Sequence, residues 1–145
     1  MTMFVDGSSK KDPDGRWAVA YAVVTLQKVL EAQPLPLGTT SQKAELTALT
    51  RALHLAKNKR ANIYMDSKYA FLITHSHAAI WKERGFLTTK GSPICNASHI
   101  TKLLEAIPLP KEVAILHCRG HQAARDKIAQ GNNLADQVAR QTALQ

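Results

Sequence analysis

The chain has 145 residues, 45% hydrophobic and 21% charged, a size and balance that suit an ordinary globular fold burying about two-thirds of its unfolded surface. Its formal net charge of +8 and pI near 9.7 favour polyanionic partners such as nucleic acid. No apolar run approaches the ~20 residues of a membrane span, the start Met1-Thr2-Met3-Phe4-Val5-Asp6 lacks the marks of a signal peptide, and the only cysteines, Cys95 and Cys118, argue against a disulfide framework and for a reducing compartment.

Met3-Phe4-Val5 reads as a first strand, ended by Asp6 and the turn chemistry of Gly7-Ser8-Ser9. After the polar turn Lys10–Gly15, Trp17–Val24 is rich in β-branched and aromatic residues and forms a second strand. Lys28–Ala32 completes an antiparallel meander, whose ladder Pro34 and Pro36 are expected to break. The hydroxyls of Thr39-Thr40-Ser41 suit a helix N-cap, and Ala48, Leu49, Ala52, Leu55 and Ala56 recur at helical spacing up to about Lys57. Extending that stripe back one turn reaches Glu45. Ile63-Tyr64-Met65 is a fourth strand, ended by Asp66, with Ser67 capping a helix. His75–Arg84 continues the helical pattern, with Lys82 and Arg84 beside Trp81. Asn96–Ala106 is a further helix, Val113–Leu116 a fifth strand, His117–Gln130 a loop, and Leu134–Leu144 a last helix with Leu134, Val138 and Ala139 inward. A helix–strand succession after a meander predicts an α/β fold with a mixed sheet. Without repeats, low-complexity tracts or linkers, residues 1–145 are expected to form one domain.

Four acids stand in apolar or small-residue settings: Asp6 and Asp66 at strand ends, Glu45 and Asp136 expected in the first turns of helices. Carboxylates gathered beyond strand ends are costly to bury and repel one another. A divalent cation removes both penalties, and an all-carboxylate set suits hard, oxygen-loving Mg²⁺. Two such ions about 3.5–4 Å apart can support in-line displacement at phosphorus. With the basic surface, the set points to a phosphodiesterase acting on nucleic acid.

Asp6-Gly7-Ser8-Ser9, Gln42-Lys43-Ala44-Glu45-Leu46, Tyr64-Met65-Asp66-Ser67-Lys68-Tyr69-Ala70-Phe71, His117-Cys118-Arg119-Gly120-His121-Gln122 and Gly131-Asn132-Asn133-Leu134-Ala135-Asp136-Gln137 occur in that order. In this the chain resembles retroviral ribonuclease H domains, most closely the C-terminal domain of gammaretroviral reverse transcriptases, endogenous ones included. The resemblance spans essentially the whole chain. It implies a ribonuclease H-like five-stranded mixed sheet, an antiparallel meander followed by parallel strands, flanked by helices. It implies hydrolysis of the RNA strand of RNA–DNA hybrids with 5′-phosphate and 3′-hydroxyl products. By position, Asp6, Glu45, Asp66 and Asp136 would hold two Mg²⁺ ions, with Mn²⁺ able to substitute, and His121 would aid proton transfer or product release. Ser8, Ser9, Ser41, Gln42, Ser67 and Tyr69 match substrate-side positions. His75–Arg84 resembles the extra basic helix of some members, where Lys82, Arg84 and Lys90 would add phosphate contacts.

The resemblance also implies a polymerase and connection region as covalent partner, residence in the virion and host-cell cytoplasm as part of a polyprotein, no membrane association or secretion, and a monomeric isolated domain. Two other readings compete. Transposase and integrase cores share the fold but cut DNA with three acids; the fourth acid, His121 and Gln42 favour the ribonuclease. A catalytically idle or domesticated hybrid-binding module is the other. Zinc binding by His75/His77 or Cys118/His121 is disfavoured: residues two apart on a helix face different directions, and the second pair is half a site.

Overall fold

Alternation along the first strand organises the molecule. A computed structural model describes residues 1–77, 95–120 and 126–145. The expected helix beyond His77, with Trp81, Lys82, Arg84 and Lys90, lies outside the described residues, as does His121. Strand β1 (Thr2–Lys11) is central, in a five-stranded sheet of order β3-β2-β1-β4-β5 with β2 at Trp17–Val24, β3 at Val29–Leu35, β4 at Arg60–Met65 and β5 at Glu112–His117. The β1–β2 and β2–β3 pairs are antiparallel, and the β1–β4 and β4–β5 pairs parallel. Successive side chains on a strand point to opposite faces. Met3 and Val5 therefore join one core, and Phe4 the other.

The first core lies under α1 (Ser41–Leu55), the short α2 (Lys68–Leu72) and α3 (Ala97–Ala106), and contains Leu46, Leu49, Leu53, Ile63, Met65, Ile100 and Leu103. The second lies under α4 (Lys127–Ala143), where Ala135 and Ala139 pack with Phe4, Ala22 and Val24. Small residues four apart form one narrow stripe, so α4 can approach the sheet closely. Gly131 marks the tightest point, because a Cβ there would overlap the Phe4 ring. At the sheet edge, Tyr21 donates to Glu31 at 2.6 Å, and Arg51 of α1 forks onto the same carboxylate at 2.7 and 3.0 Å. Arg51 holds the Glu31 carboxyl below its usual range; burial and then Glu31 push the Tyr21 phenol up to about 12.

Four local expectations need correction. β1 does not end at Asp6 but continues to Lys11, because β2 carries its register from Asp6↔Ala22 through Lys11↔Trp17. Pro34 does not break the ladder: it pairs with Ala20 in β3, an edge strand where a missing N–H is tolerated. The last helix starts at Lys127, capped by Asp126 accepting from Ala129 N at 2.8 Å, so Asp136 lies well inside it rather than in its first turn. Thr40, one of the three hydroxyls offered, caps α1 by accepting from Lys43 N at 3.2 Å, and with the helix starting at Ser41, Glu45 lies just past its first turn rather than in it. The expected α3, β4 and β5 are present, and α2 runs on as a wider π-type turn over Ile73–His77.

Candidate active site

The four acids come from four elements, and two close approaches bring them together. Parallel pairing of β1 with β4 stops at Val5↔Met65, so Asp6, still within β1, and Asp66, just past the end of β4, follow the last pair side by side. At the next residue, a Cβ on Gly7 would stand 2.7 Å from Glu45 N and 2.8 Å from Ala44 C, so only glycine lets α1 lie this close to β1. On the opposite face, Gly131 brings α4 down on Phe4 and carries Asp136 toward Asp6.

Asp6 is only 8% exposed. Burial first, then the charges of Asp66 and Asp136 and a hydrogen bond with Asp136, push its carboxyl up to about 9, against a smaller lowering by the Gly7 N–H. Without a cation, Asp6 therefore keeps its proton at neutral pH. Glu45 is also raised, by burial and then by Asp66, while a hydrogen bond from Ser67 works the other way. Ser67 Oγ donates to Glu45 Oε2 at 2.6 Å and accepts from Ala70 N at 3.1 Å, so one hydroxyl both caps α2 and steadies Glu45.

Each remaining acid also has a neighbour. Asn132 Nδ2 donates to Asp66 Oδ2 at 3.2 Å, and Arg140 meets Asp136 at 2.9 Å one helical turn away. Gly120 is packed so tightly on Asp66 that a Cβ would stand 2.8 Å from Oδ2. Burial, then Asp66 and Asp6, push the Cys118 thiol up to about 11, the reverse of what a thiolate ligand for a soft metal requires.

Among the described residues, no three His, Cys, Asp or Glu side chains are arranged to hold a metal as they stand. Ser67, Asn132 and Arg140 instead partner Glu45, Asp66 and Asp136, and Asp6 hydrogen-bonds Asp136. The donor chemistry nevertheless fits a hard, hydrated cation. The site is built of carboxyl oxygens, and beside Asp66 the buried Asn132 Oδ1, in a residue 1% exposed, has no hydrogen-bond partner among the described residues. Asp136, paired with Arg140 through Oδ2, also hydrogen-bonds Asp6.

On the substrate side, Ser9 and Ser41 line an open recess of ≈460 Å³ with Trp17 and Gly38–Thr40. Gln42 and Tyr69 share Asn96 as a partner. Ser8 is buried, 6% exposed, so its hydroxyl is less accessible than that of Ser9. Sequence reasoning named Asn132 only as part of its motif, and the structure bonds it to Asp66. It missed Arg140, although the four-residue spacing from Asp136 was a usable signal. It also missed Asn96, which no local pattern marks.

The RNase H family model matches residues 1–144. The chain is 53% identical over 143 residues to the Gag-Pol polyprotein of baboon endogenous virus (strain M7), covering 99% of this chain and 8% of the polyprotein. It is 50% identical over 143 residues to the Pol polyprotein of Radiation murine leukemia virus (strain Kaplan), covering 99% of this chain and 24% of that protein. The chain thus spans less than a quarter of either relative. Among solved structures, the PFV RNase H domain in solution superposes with a TM-score of 0.75 at 27% identity, covering 98% of this chain and 93% of that one. With its mixed sheet, four converging acids and match along nearly its full length, the chain belongs to the RNase H family.

Proposed function

We propose that this chain is a ribonuclease H that hydrolyses the RNA strand of RNA–DNA hybrids and leaves 5′-phosphate and 3′-hydroxyl ends. One observation carries the reading: Asp66 and Asp136 converge on the buried Asp6, whose carboxyl is raised by burial and by those two neighbours. Family membership supports it, as does the fold likeness, at TM-score 0.81 and 23% identity, to a foamy viral protease-reverse transcriptase solved with an RNA/DNA hybrid.

Asp6, Glu45, Asp66 and Asp136 would hold two Mg²⁺, or Mn²⁺ in their place; when bound, these supply an activated water and charge stabilisation at phosphorus. The chain's own side chains do the rest. Asp6 gives up its proton on loading. Ser67 keeps Glu45 directed into the site, and Asn132 does the same for Asp66. Arg140 holds Asp136 until it is needed. His121 would move a proton at the leaving side. Ser9, Ser41, Gln42 and Tyr69 would contact the hybrid, with Lys82 and Arg84 adding phosphate contacts. Hydrogen bonds to 2′-hydroxyls are the physical means of selecting RNA.

We extend the reading to context. Residues 1–145 act as one unit, monomeric when isolated, of a reverse transcriptase polyprotein whose polymerase and connection region supplies much of the grip on hybrid, in the virion and the host-cell cytoplasm. No helix among the described residues is long and apolar enough to cross a membrane. The Asp136–Arg140 pair favours one rival, an idle hybrid-binding module whose acids are permanently engaged. A labelled hybrid, a DNA duplex and an RNA duplex, each incubated with pure protein and Mg²⁺ or Mn²⁺, separate the two. The enzyme cuts only the RNA of the hybrid; a module that binds hybrid and cuts nothing with either metal is the rival.

A further inference from the structure

The groove between α1 and α3 carries charged side chains that hybrid cleavage does not use. Thr47, Thr50, Arg51 and His54 follow one another at three- and four-residue steps, so they share one face of α1. His99, Lys102 and Glu105 form a matching row on α3, and with Leu109 beyond its end the two rows line a recess of ≈390 Å³. That volume is in the range of small-molecule sites. None of the four acids lines it, and neither do Ser9, Ser41, Gln42 or Tyr69.

The donors left in this recess are basic side chains. Thr47 Oγ1 donates to Lys43 O at 2.7 Å and Thr50 Oγ1 to Leu46 O at 2.8 Å, so both hydroxyl hydrogens are spent on the helix. Arg51 gives two of its five N–H groups to Glu31 and keeps three. Among the described residues, His54, His99 and Lys102 meet no carboxylate within ion-pair distance. The charged groups around His99 are Lys43, Arg51 and His54 of α1, Lys102 and Glu105 of α3, and Glu31 of β3, which Arg51 occupies. Burial, then Lys43 and Lys102, hold His99 below the usual histidine range. A bound anion supplies the counter-charge that is missing there.

The two ends of the α3 row differ. His99 and Lys102 come first; Glu105 stands about 9 Å along the helix from His99, toward Leu109. A simple anion would use only the first end. A phosphate carried on a nucleoside would use both, because sugar hydroxyls can donate to a carboxylate and the organic body can lie on Leu109.

We propose that the α1–α3 groove binds a nucleoside phosphate monoester, with the phosphate at His99 and Lys102 and the nucleoside toward Glu105 and Leu109. Such a group has two sources, a free nucleotide or the 5′-phosphorylated end of an oligonucleotide.

Calorimetry and the His99 ring signals in NMR test this on the full chain, in chelator. AMP should bind, with inorganic phosphate and adenosine each at least about tenfold weaker, the scale of losing a contact to a charged group. His99→Gln and Lys102→Gln, at positions not buried in the core, should each weaken AMP about tenfold. Lys28→Gln removes the same charge as Lys102→Gln from the turn between β2 and β3 and should leave AMP binding unchanged. AMP should also move the His99 titration midpoint upward, because the phosphate favours the charged ring. A 5′-phosphorylated trinucleotide binding more tightly than both AMP and its own 5′-hydroxyl form assigns the site to an RNA end; AMP binding at least as tightly as the phosphorylated trinucleotide assigns it to free nucleotides. No binding of AMP at millimolar concentration, AMP no tighter than phosphate or adenosine, equal binding of the two trinucleotides, an equal loss in Lys28→Gln, or an unmoved His99 midpoint would overturn the proposal.

Discussion

A carboxyl 8% exposed beside two others is tolerable in three ways: protonated, paired with a cation side chain, or bound to a metal. Asp6 takes the first when no metal is present, with its carboxyl pushed up to about 9. The sign of the consequence follows. The folded-state value lies above the unfolded 3.8, so the contribution of Asp6 to stability is full below that and is lost as pH rises toward 9. Thermal melts in chelator should therefore show Tm falling from pH 5 to 9, and Asp6→Asn should flatten that slope. The increase in Tm produced by Mg²⁺ should grow with pH, because loading needs the ionised acid. An unchanged slope in Asp6→Asn would assign the effect elsewhere. Ser67 offers a second test, since its hydroxyl serves α2 and Glu45 together. Ser67→Ala should cost about 1 kcal/mol, as lost N-caps do, in urea denaturation. It should also weaken Mg²⁺ binding, because Glu45 loses the bond that lowers its carboxyl.

The elements explain why those side chains meet, and how far they could be read in advance. β2 and α1 were legible because Trp17–Val24 is continuously apolar and the buried positions Ala48, Leu49 and Ala52 keep helical spacing. The end of β1 was hidden: Ser8-Ser9-Lys10-Lys11 has turn composition, and only its register with β2 keeps it extended. The start of α4 was hidden by Gly131-Asn132-Asn133, which reads as loop although each residue is helical. Helix propensity alone makes Gly131→Ala favourable by about 1 kcal/mol. The Phe4 ring occupies the space a methyl would need, and overpacking costs about 1–3 kcal/mol, so the substitution should destabilise on balance. Guanidine melts check the sign, and Phe4→Leu should partly rescue. A stabilised Gly131→Ala would mean that α4 does not press on β1 here. The four acids were legible as a set from their order. Their present partners were not, since Asn132–Asp66 spans 66 residues and Asn96–Tyr69 links two helix starts.

At the scale of the whole molecule, two faces of one sheet serve one site. The α1 side brings Glu45 over Gly7, and the α4 side brings Asp136 over Phe4, while β1 and β4 deliver Asp6 and Asp66 between them. The remainder of the chain is basic, with a net charge of +8 despite these acids. Hybrid binding should accordingly weaken steeply with salt, while the metal requirement stays with the carboxylates. The most direct test is strand-resolved cleavage of an RNA–DNA hybrid by the pure protein in Mg²⁺, beside Asp66→Asn. The expected result is RNA-strand cleavage by the wild-type chain, 5′-phosphate ends, and a loss of at least about 10²-fold in Asp66→Asn, the scale of removing one key electrostatic contact at a phosphoryl centre. Wild-type rates in Asp66→Asn, or an intact RNA strand with both Mg²⁺ and Mn²⁺, would contradict the account.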